Sequence, residues 1–71
     1  MNQVERVLRH LNDYGSITPM EAIQDYGITR LAAKVHLLRK RGEPIISETV
    51  ESQNRYGEKC HYARYRMGAR A

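Results

Sequence analysis

The sequence predicts an α+β fold in which three helices are followed by a β-hairpin. Apolar residues recur at helical spacing in three segments, which end at Gly15, Gly27 and Gly42. Beyond Pro44 the pattern changes to the β-branched and aromatic alternation that is typical of strands. A chain of 71 residues has room for one small domain, which we expect to cover residues 1–71.

The first helix is predicted over residues 2–14. Asn2 is suited to cap its first turn, and Gly15 is suited to end it in a left-handed conformation. One side of this helix carries an apolar stripe that is expected to face the core, made of Val4, Val7, Leu8 and Leu11.

The second helix is short and is predicted over residues 19–26. Thr18 is a favourable N-cap residue, and Glu21 three positions later completes a capping box. Pro19 suits the first helical turn because its missing N–H would have no partner there. Gly27 suits the left-handed position that follows the helix.

The third helix is predicted over residues 29–41 and has two different sides. Thr29 is expected to cap it, and Gly42 and Pro44 are expected to end it. The side expected to be buried carries Leu31, Ala32, Val35 and Leu38, and the opposite side carries Thr29, Arg30, Ala33, Leu37 and Lys40.

The hairpin is predicted within residues 45–67. Its strands lie in "IISETVES" and "CHYARYRM", and Asn54 and Gly57 suit the turn in the connecting "QNRYGEK". A lone hairpin is marginally stable in water, so this one is expected to pack on the helices. The alternation leaves the register open, because either Tyr62 or Tyr65 and Met67 could face inward. Residues 68–71 are expected to form a tail.

The overall composition is basic, with 12 Lys and Arg against 8 Asp and Glu, a net charge of +4 and a pI near 9.6. Cys60 is the only cysteine, so an internal disulfide cannot form. No segment approaches the roughly 18 apolar residues of a membrane span, and the N-terminus lacks the pattern of a signal peptide. We therefore expect a cytoplasmic protein without a membrane partner.

The basic residues fall into two groups, one on the third helix and one on the hairpin. Two such groups in a domain with a pI above about 9 are typical of nucleic-acid binding, although a solvated face has the same composition. The first group is Arg30, Lys34, Arg39, Lys40 and Arg41, and the second is Arg55, Lys59, Arg64, Arg66 and Arg70.

The order of elements predicts a helix-turn-helix, and the hairpin that follows adds the wing of a winged helix. In such domains the second helix of the pair enters the major groove of DNA. We therefore predict a protein that binds double-stranded DNA sequence-specifically. The predicted DNA-binding residues are Thr29, Arg30, Ala33, Lys34, His36, Lys40, Arg41, Arg55 and Lys59.

The residues of the third helix suggest different roles in the groove. Arg30 can make a bidentate contact with guanine, and Ala33 permits close approach or contact with a thymine methyl group. Lys40 and Arg41 are expected to contact phosphate, although cations in a last helical turn also stabilise the helix dipole. Leu37 lies on the same outward side. We favour a place for it in a widened core, with DNA contact as the alternative.

The hairpin suggests a second contact with DNA. Arg55 and Lys59 flank its predicted tip, where a wing reaches the backbone or the minor groove. Arg64 and Arg66 alternate along one strand face. They either present a basic surface to phosphate or protect a sheet edge from pairing.

The chain also resembles small helix-turn-helix proteins of bacteriophages and prophages that carry a winged hairpin. The resemblance covers residues 4–67, through "GSITPMEAIQDYGITRLAAKVHLLRKRGEPI" and, more loosely, "NRYGEKCHYARYRM". It implies DNA binding in transcription regulation or in phage DNA excision or replication. The residues it implicates are Thr29, Arg30, Ala33, Lys34 and Arg55. Leu37 departs from this family's pattern, in which the position is more often acidic.

Catalytic and metal-ligand patterns are missing from the sequence. His10, His36 and His61 belong to three different elements. Cys60 and His61 are neighbours on a predicted strand, so their side chains point to opposite faces. We therefore expect neither an enzyme nor a protein that needs a cofactor, a metal or a small-molecule substrate.

A winged helix can also bind another protein, because a fold does not determine a function. If Leu37 is exposed beside Ala33, this face contains an apolar spot that suits a host or phage protein partner. For DNA binding, the small interface of one module predicts a homodimer or a cooperative array on repeated sites.

Overall fold

The computed structural model describes residues 1–68, and in it the predicted α+β class is confirmed. Three helices are followed by a hairpin, and an additional two-residue strand makes the sheet three-stranded. Of the predicted tail at 68–71, all but Gly68 lies outside the described residues. The elements are α1 (Gln3–Tyr14), β1 (Ser16–Ile17), α2 (Pro19–Tyr26), α3 (Leu31–Lys40), β2 (Ile45–Gln53) and β3 (Lys59–Met67).

The ends of the first two helices are held by the predicted side chains. The Asn2 side chain accepts a hydrogen bond from the Glu5 N–H at 2.8 Å. The predicted capping box is confirmed, because Thr18 Oγ1 accepts from the Glu21 N–H at 3.2 Å and the Thr18 N–H donates to Glu21 Oε1 at 3.0 Å. Gly27 follows α2 with a φ of 68°, the left-handed conformation that favours glycine.

The third helix begins two residues later than predicted. Its N-cap is Arg30, with φ −117° and ψ 59°, and no side chain caps it. The prediction of Thr29 as the cap is therefore wrong. The cause is the turn before α3, where the buried side chain of Ile28 is anchored in the core and the chain is still reversing direction at Thr29.

The core lies between the helices and one face of the sheet. Two side chains of α3 differ from the prediction: Ala32 is exposed, and Leu37 is 45% exposed instead of completing the core. The stripe formed by Leu31, Val35 and Leu38 is narrow, and neighbours one residue away are rotated by about 100° out of it. The buried apolar residues are Val7, Leu11, Ile17, Ala22, Ile28, Leu31, Val35, Leu38 and Ile45.

The short strand β1 decides the position of the hairpin. It pairs antiparallel with β3 through Ser16 and Ile17, so β3 is the central strand in the order β1-β3-β2. Ile17 is fully buried opposite Tyr65. The open question of register is thereby answered, because Tyr65 and Met67 pack against the core whereas Tyr62 is 42% exposed. A strand of two residues is too short for its periodicity to show in a sequence.

Candidate nucleic-acid interface

The interface begins with the way in which α2 and the turn after it orient α3. The Gly27 N–H donates to the Ile23 carbonyl, and the Ile28 N–H donates to the Ala22 carbonyl, both at 2.9 Å. Ile28 is buried, so it ties the turn to the core. Thr29 and Arg30 follow on the exposed side and mark the start of α3.

We define the outer face of α3 as the exposed side chains from the N-cap Arg30 to Lys40 that lie within about 60° of Ala33 on a helical wheel. The buried stripe of α3 points in the opposite direction. Of the other predicted contacts on this segment, Thr29 and Arg41 are exposed and Lys34 is half-buried on one flank. The outer face consists of Arg30, Ala33, His36, Leu37 and Lys40.

The electrostatic character of this face is uniformly positive. No acidic residue occurs between Thr29 and Arg41. Among residues 1–68, no ion pair involves any of the five cations on this segment, which are Arg30, Lys34, Arg39, Lys40 and Arg41. Their charges are therefore available to a negatively charged ligand.

Arg39 differs from the two cations beside it in sequence. Its Nε donates to the Ile45 carbonyl at 3.0 Å, and its Nη2 donates to Ser47 Oγ at 2.7 Å. The side chain therefore connects the last turn of α3 to the beginning of β2. The basic run at residues 39–41 thus divides into one structural arginine and two exposed cations, Lys40 and Arg41.

The hairpin loop that connects β2 and β3 is held by hydrogen bonds within residues 54–58. The Asn54 side-chain oxygen accepts from the N–H groups of Tyr56 (2.9 Å) and Glu58 (3.1 Å). The Gly57 N–H donates to the Asn54 carbonyl at 3.0 Å, with a φ of 78° at Gly57. Arg55 and Tyr56 protrude from this ordered loop, and Tyr56 is 83% exposed.

The strands of the hairpin neutralise most of their own positive charge. Glu48 on β2 pairs with Arg64 at 3.1 Å and also with Arg66. The hydrogen bond from Arg64, together with the charges of Arg64 and Arg66, lowers the pKa of the Glu48 carboxyl despite an opposing contribution from desolvation. Because β3 is the central strand, the idea that these arginines protect a sheet edge is wrong.

The two predicted contacts of the hairpin also differ from each other. Lys59 Nζ lies 3.5 Å from Glu51 Oε1, and both side chains are largely exposed, so this pair is weak and readily exchanged. Arg55 takes part in no ion pair among residues 1–68. At the hairpin, the unneutralised charge therefore lies in the loop and not along the strands.

Sequence reasoning missed three features of this region. Asn54 was expected in the turn, but the two hydrogen bonds that its side chain accepts, the exposure of Tyr56 and the connection made by Arg39 were not expected. The first had a signal, because asparagine often bonds to the backbone two residues ahead in a turn. The Arg39 contacts had none, because they join two elements whose relative position depends on tertiary packing.

In the part of the chain that the structure describes, the remaining polar groups form no comparable site. His10 is buried, and its Nδ1 shares a hydrogen bond of 2.6 Å with the Tyr26 hydroxyl. Within residues 1–68, no group of three or more His, Cys, Asp or Glu side chains is arranged to hold a metal ion. That part of the chain also contains no helix long and apolar enough to cross a membrane.

Comparison with known proteins identifies a family. No curated protein and no solved structure matches the chain. A family model described as a winged helix-turn-helix domain matches residues 2–70. Winged helix-turn-helix domains in general bind DNA and are typically not enzymes. With its three helices, its central β3 strand and this match, the chain belongs to the winged helix-turn-helix domain family.

Proposed function

We propose that this protein binds double-stranded DNA sequence-specifically, with α3 in the major groove and the hairpin loop on the neighbouring backbone or minor groove. The observation that carries the proposal is the distribution of free charge. The cations of α3 and Arg55 at the hairpin loop have no acidic partner among residues 1–68, whereas the strand arginines Arg64 and Arg66 do.

Within α3 we assign base contacts to the part of the outer face between Arg30 and Leu37. Arg30 presents a guanidinium suited to a bidentate contact with guanine O6 and N7. Ala33 and Leu37 lie one turn apart and present apolar surface that suits thymine methyl groups. His36 lies on the same face, and we assign it a contact with a base edge in the major groove.

Phosphate contacts are assigned to residues around the outer face and on the hairpin. These side chains position the protein on the duplex but carry no sequence information themselves. Lys59 contributes by leaving its exposed ion pair with Glu51 and forming an ion pair with a phosphate instead. The residues assigned to phosphate are Thr29, Lys34, Lys40, Arg41, Arg55 and Lys59.

The first test is the dependence of DNA binding on salt. Each phosphate neutralised contributes about −0.9 to the slope of log K against log salt concentration. The cations assigned to phosphate are Lys34, Lys40, Arg41, Arg55 and Lys59, so a slope as steep as about −4.5 is expected. Fluorescence anisotropy with a labelled duplex at several salt concentrations measures it. A flat response, or no binding at low salt, contradicts the proposal.

The second test separates base contacts from phosphate contacts. Arg30→Ala is expected to cost about 1–3 kcal/mol of discrimination at one or two base positions. Arg55→Ala is expected to weaken binding to all sequences alike and to make the salt slope shallower by about 1. Selection from a random duplex pool with each variant measures both effects. Identical sequence profiles for the two variants would show that α3 does not read the bases.

Specificity in a genome requires more than one copy of this module. A single module buries only about 600–1,000 Å² on DNA, which gives weak binding by one copy. We therefore expect a dimer or an array on repeated sites, with half-sites about 10 base pairs apart or a multiple of that. The resemblance to phage and prophage proteins supports a role as a regulator or as an accessory factor in excision or replication, acting in a bacterial cytoplasm.

A second candidate function is the binding of a host or phage protein through the same face, which the exposure of Leu37 favours. Ala33→Glu, at the centre of the same face, distinguishes the two functions. In a DNA groove the new carboxylate faces phosphates, so affinity should fall by about tenfold or more. The control Asn12→Glu places the same charge at an exposed position of α1. If both variants bind DNA equally well, α3 does not lie in the groove, and capture from nuclease-treated lysate then tests the protein partner.

A further inference from the structure

The hairpin is held at its base by the pairing of β1 with β3 and by the junction between α3 and β2. Both connections set the orientation of the hairpin loop relative to the outer face of α3. The junction between α3 and β2 is a short connection from Arg41 to Pro44. Arg39 bridges it with two hydrogen bonds, to the Ile45 carbonyl and to Ser47 Oγ. We propose that Arg39 is a positioning residue, which holds the hairpin at the angle at which α3 and the loop reach one DNA duplex together. This inference rests on the proposed function.

The length of the hairpin makes this angle important. From Ile45 to Gln53 the strand advances eight residues, or about 26 Å at about 3.3 Å per residue. Arg55 lies beyond that point, roughly 30 Å from the junction. A change of about 10° at the junction therefore moves the loop by about 5 Å. A displacement of that size takes the Arg55 guanidinium out of contact with a phosphate.

Arg39 is suited to this role by its chemistry. Its guanidinium is planar and donates in fixed directions, so two contacts to β2 restrain both the distance and the direction of the strand. The apolar contacts beneath it, including Leu38 and Ile45, are buried but carry no directional preference. The side chain lies on the flank of α3, about 120° from Ala33, and its Nε and Nη2 donate within the protein.

The consequence is a specific form of coupling. When α3 is bound and the hairpin has the correct angle, Arg55 meets a phosphate at high effective concentration. That advantage disappears if the angle of the hairpin changes. Removing the Arg39 connection should therefore matter only while Arg55 can still contact DNA. A direct phosphate contact by Arg39, or a general loss of stability, would instead lower affinity by the same factor whether or not Arg55 is present.

A double-mutant cycle tests this coupling. The affinity of the full chain is measured for a labelled duplex obtained by selection from a random pool, with wild type, Arg39→Met, Arg55→Ala and the double variant. We expect Arg39→Met to weaken binding by about fivefold or more in the wild type and by less than about twofold in the Arg55→Ala background. Lys40→Met is the matched control, because it removes the same charge from the same turn. It should lower affinity by equal factors in both backgrounds.

Two milder variants keep the test decisive if Arg39→Met does not fold. Arg39→Lys keeps the charge but cannot make both directed bonds, and Ser47→Ala removes one acceptor without changing charge. Both should weaken DNA binding more in the wild type than in the Arg55→Ala background, with smaller losses of affinity than Arg39→Met. If each of these variants lowers DNA affinity by the same factor in both backgrounds, Arg39 is not a positioning residue. The proposal of DNA binding is unaffected by that result. If the wild-type chain binds no duplex, the proposed function itself fails.

Discussion

Leu37 and Leu38 are adjacent residues of one helix with opposite environments, and replacing each with alanine tests the orientation of α3 directly. Leu38 is fully buried in the core, whereas Leu37 is 45% exposed on the outer face. The two substitutions remove the same atoms from the same helix. Any difference between their effects therefore reports the burial of the two side chains and not helix propensity.

The expected difference is large compared with the stability of the domain. Leu38→Ala should cost about 2–5 kcal/mol, because the lost transfer free energy is joined by the cost of a cavity. Leu37→Ala should cost about 1 kcal/mol or less, since much of the side chain already contacts water. A domain of 71 residues has a total stability of roughly 4–10 kcal/mol. Leu38→Ala therefore removes a large fraction of it.

Urea unfolding followed by circular dichroism measures both variants. The urea midpoint of Leu38→Ala should fall well below that of the wild type. In thermal unfolding, its melting temperature should be lower by about 8 °C or more. The Leu37→Ala midpoint should stay close to the wild type. DNA affinity should show the reverse order when both proteins are folded. Equal losses of stability would mean that α3 is rotated relative to the structure, and the assignment of the outer face would then be wrong.

Three further predictions concern individual contacts. Thr18→Ala should destabilise the protein by about 0.5–2 kcal/mol in urea unfolding, because the capping box of α2 loses its hydroxyl; an unchanged midpoint would contradict this. Gly27→Ala should cost about 1–2 kcal/mol, owing to the backbone alone, since φ is 68° and no heavy atom lies within 4 Å of the added Cβ. Glu48→Gln should flatten the acid dependence of stability. The folded-state pKa of Glu48 is lowered from its ordinary value of 4.5, so its contribution is complete above that value and is lost as the pH falls through the lowered one. The urea midpoint should therefore fall less between about pH 5 and pH 3 in this variant than in the wild type, and equal falls would show that the pairs with Arg64 and Arg66 contribute nothing.

Local signals in the sequence were sufficient to predict most of the helical part. The caps at Asn2 and Thr18 depend on residues three positions apart, and the buried stripe of α3 depends on a spacing of three and four residues. Such features do not need the rest of the fold to exist. The start of α3 was predicted incorrectly for the complementary reason. Thr29 is a favourable cap by itself, but the burial of Ile28 determines where the turn ends.

The register of the hairpin was left open because Tyr62 and Tyr65 lie on opposite faces of the strand, and the alternation did not decide which face is buried. The loop at residues 54–58 and the pairing of Ile17 with Tyr65 decide it. Once Gln53 pairs with Lys59, every other pair along the hairpin follows, including Glu48 with Arg64. The neutralisation of Arg64 and Arg66 is therefore a consequence of a register that periodicity alone does not select.

The sequence by itself determined the order of elements, the helix caps, the buried stripe and the presence of two basic groups, because all of these depend on neighbours along the chain. Only the tertiary structure decided which charges are free. It pairs Arg64 with Glu48, engages Arg39 with β2 and leaves Arg30, Lys40 and Arg55 without an acidic partner in residues 1–68. The physical reason is that an ion pair or a directed hydrogen bond acts over a few ångströms in space, between residues far apart in the sequence.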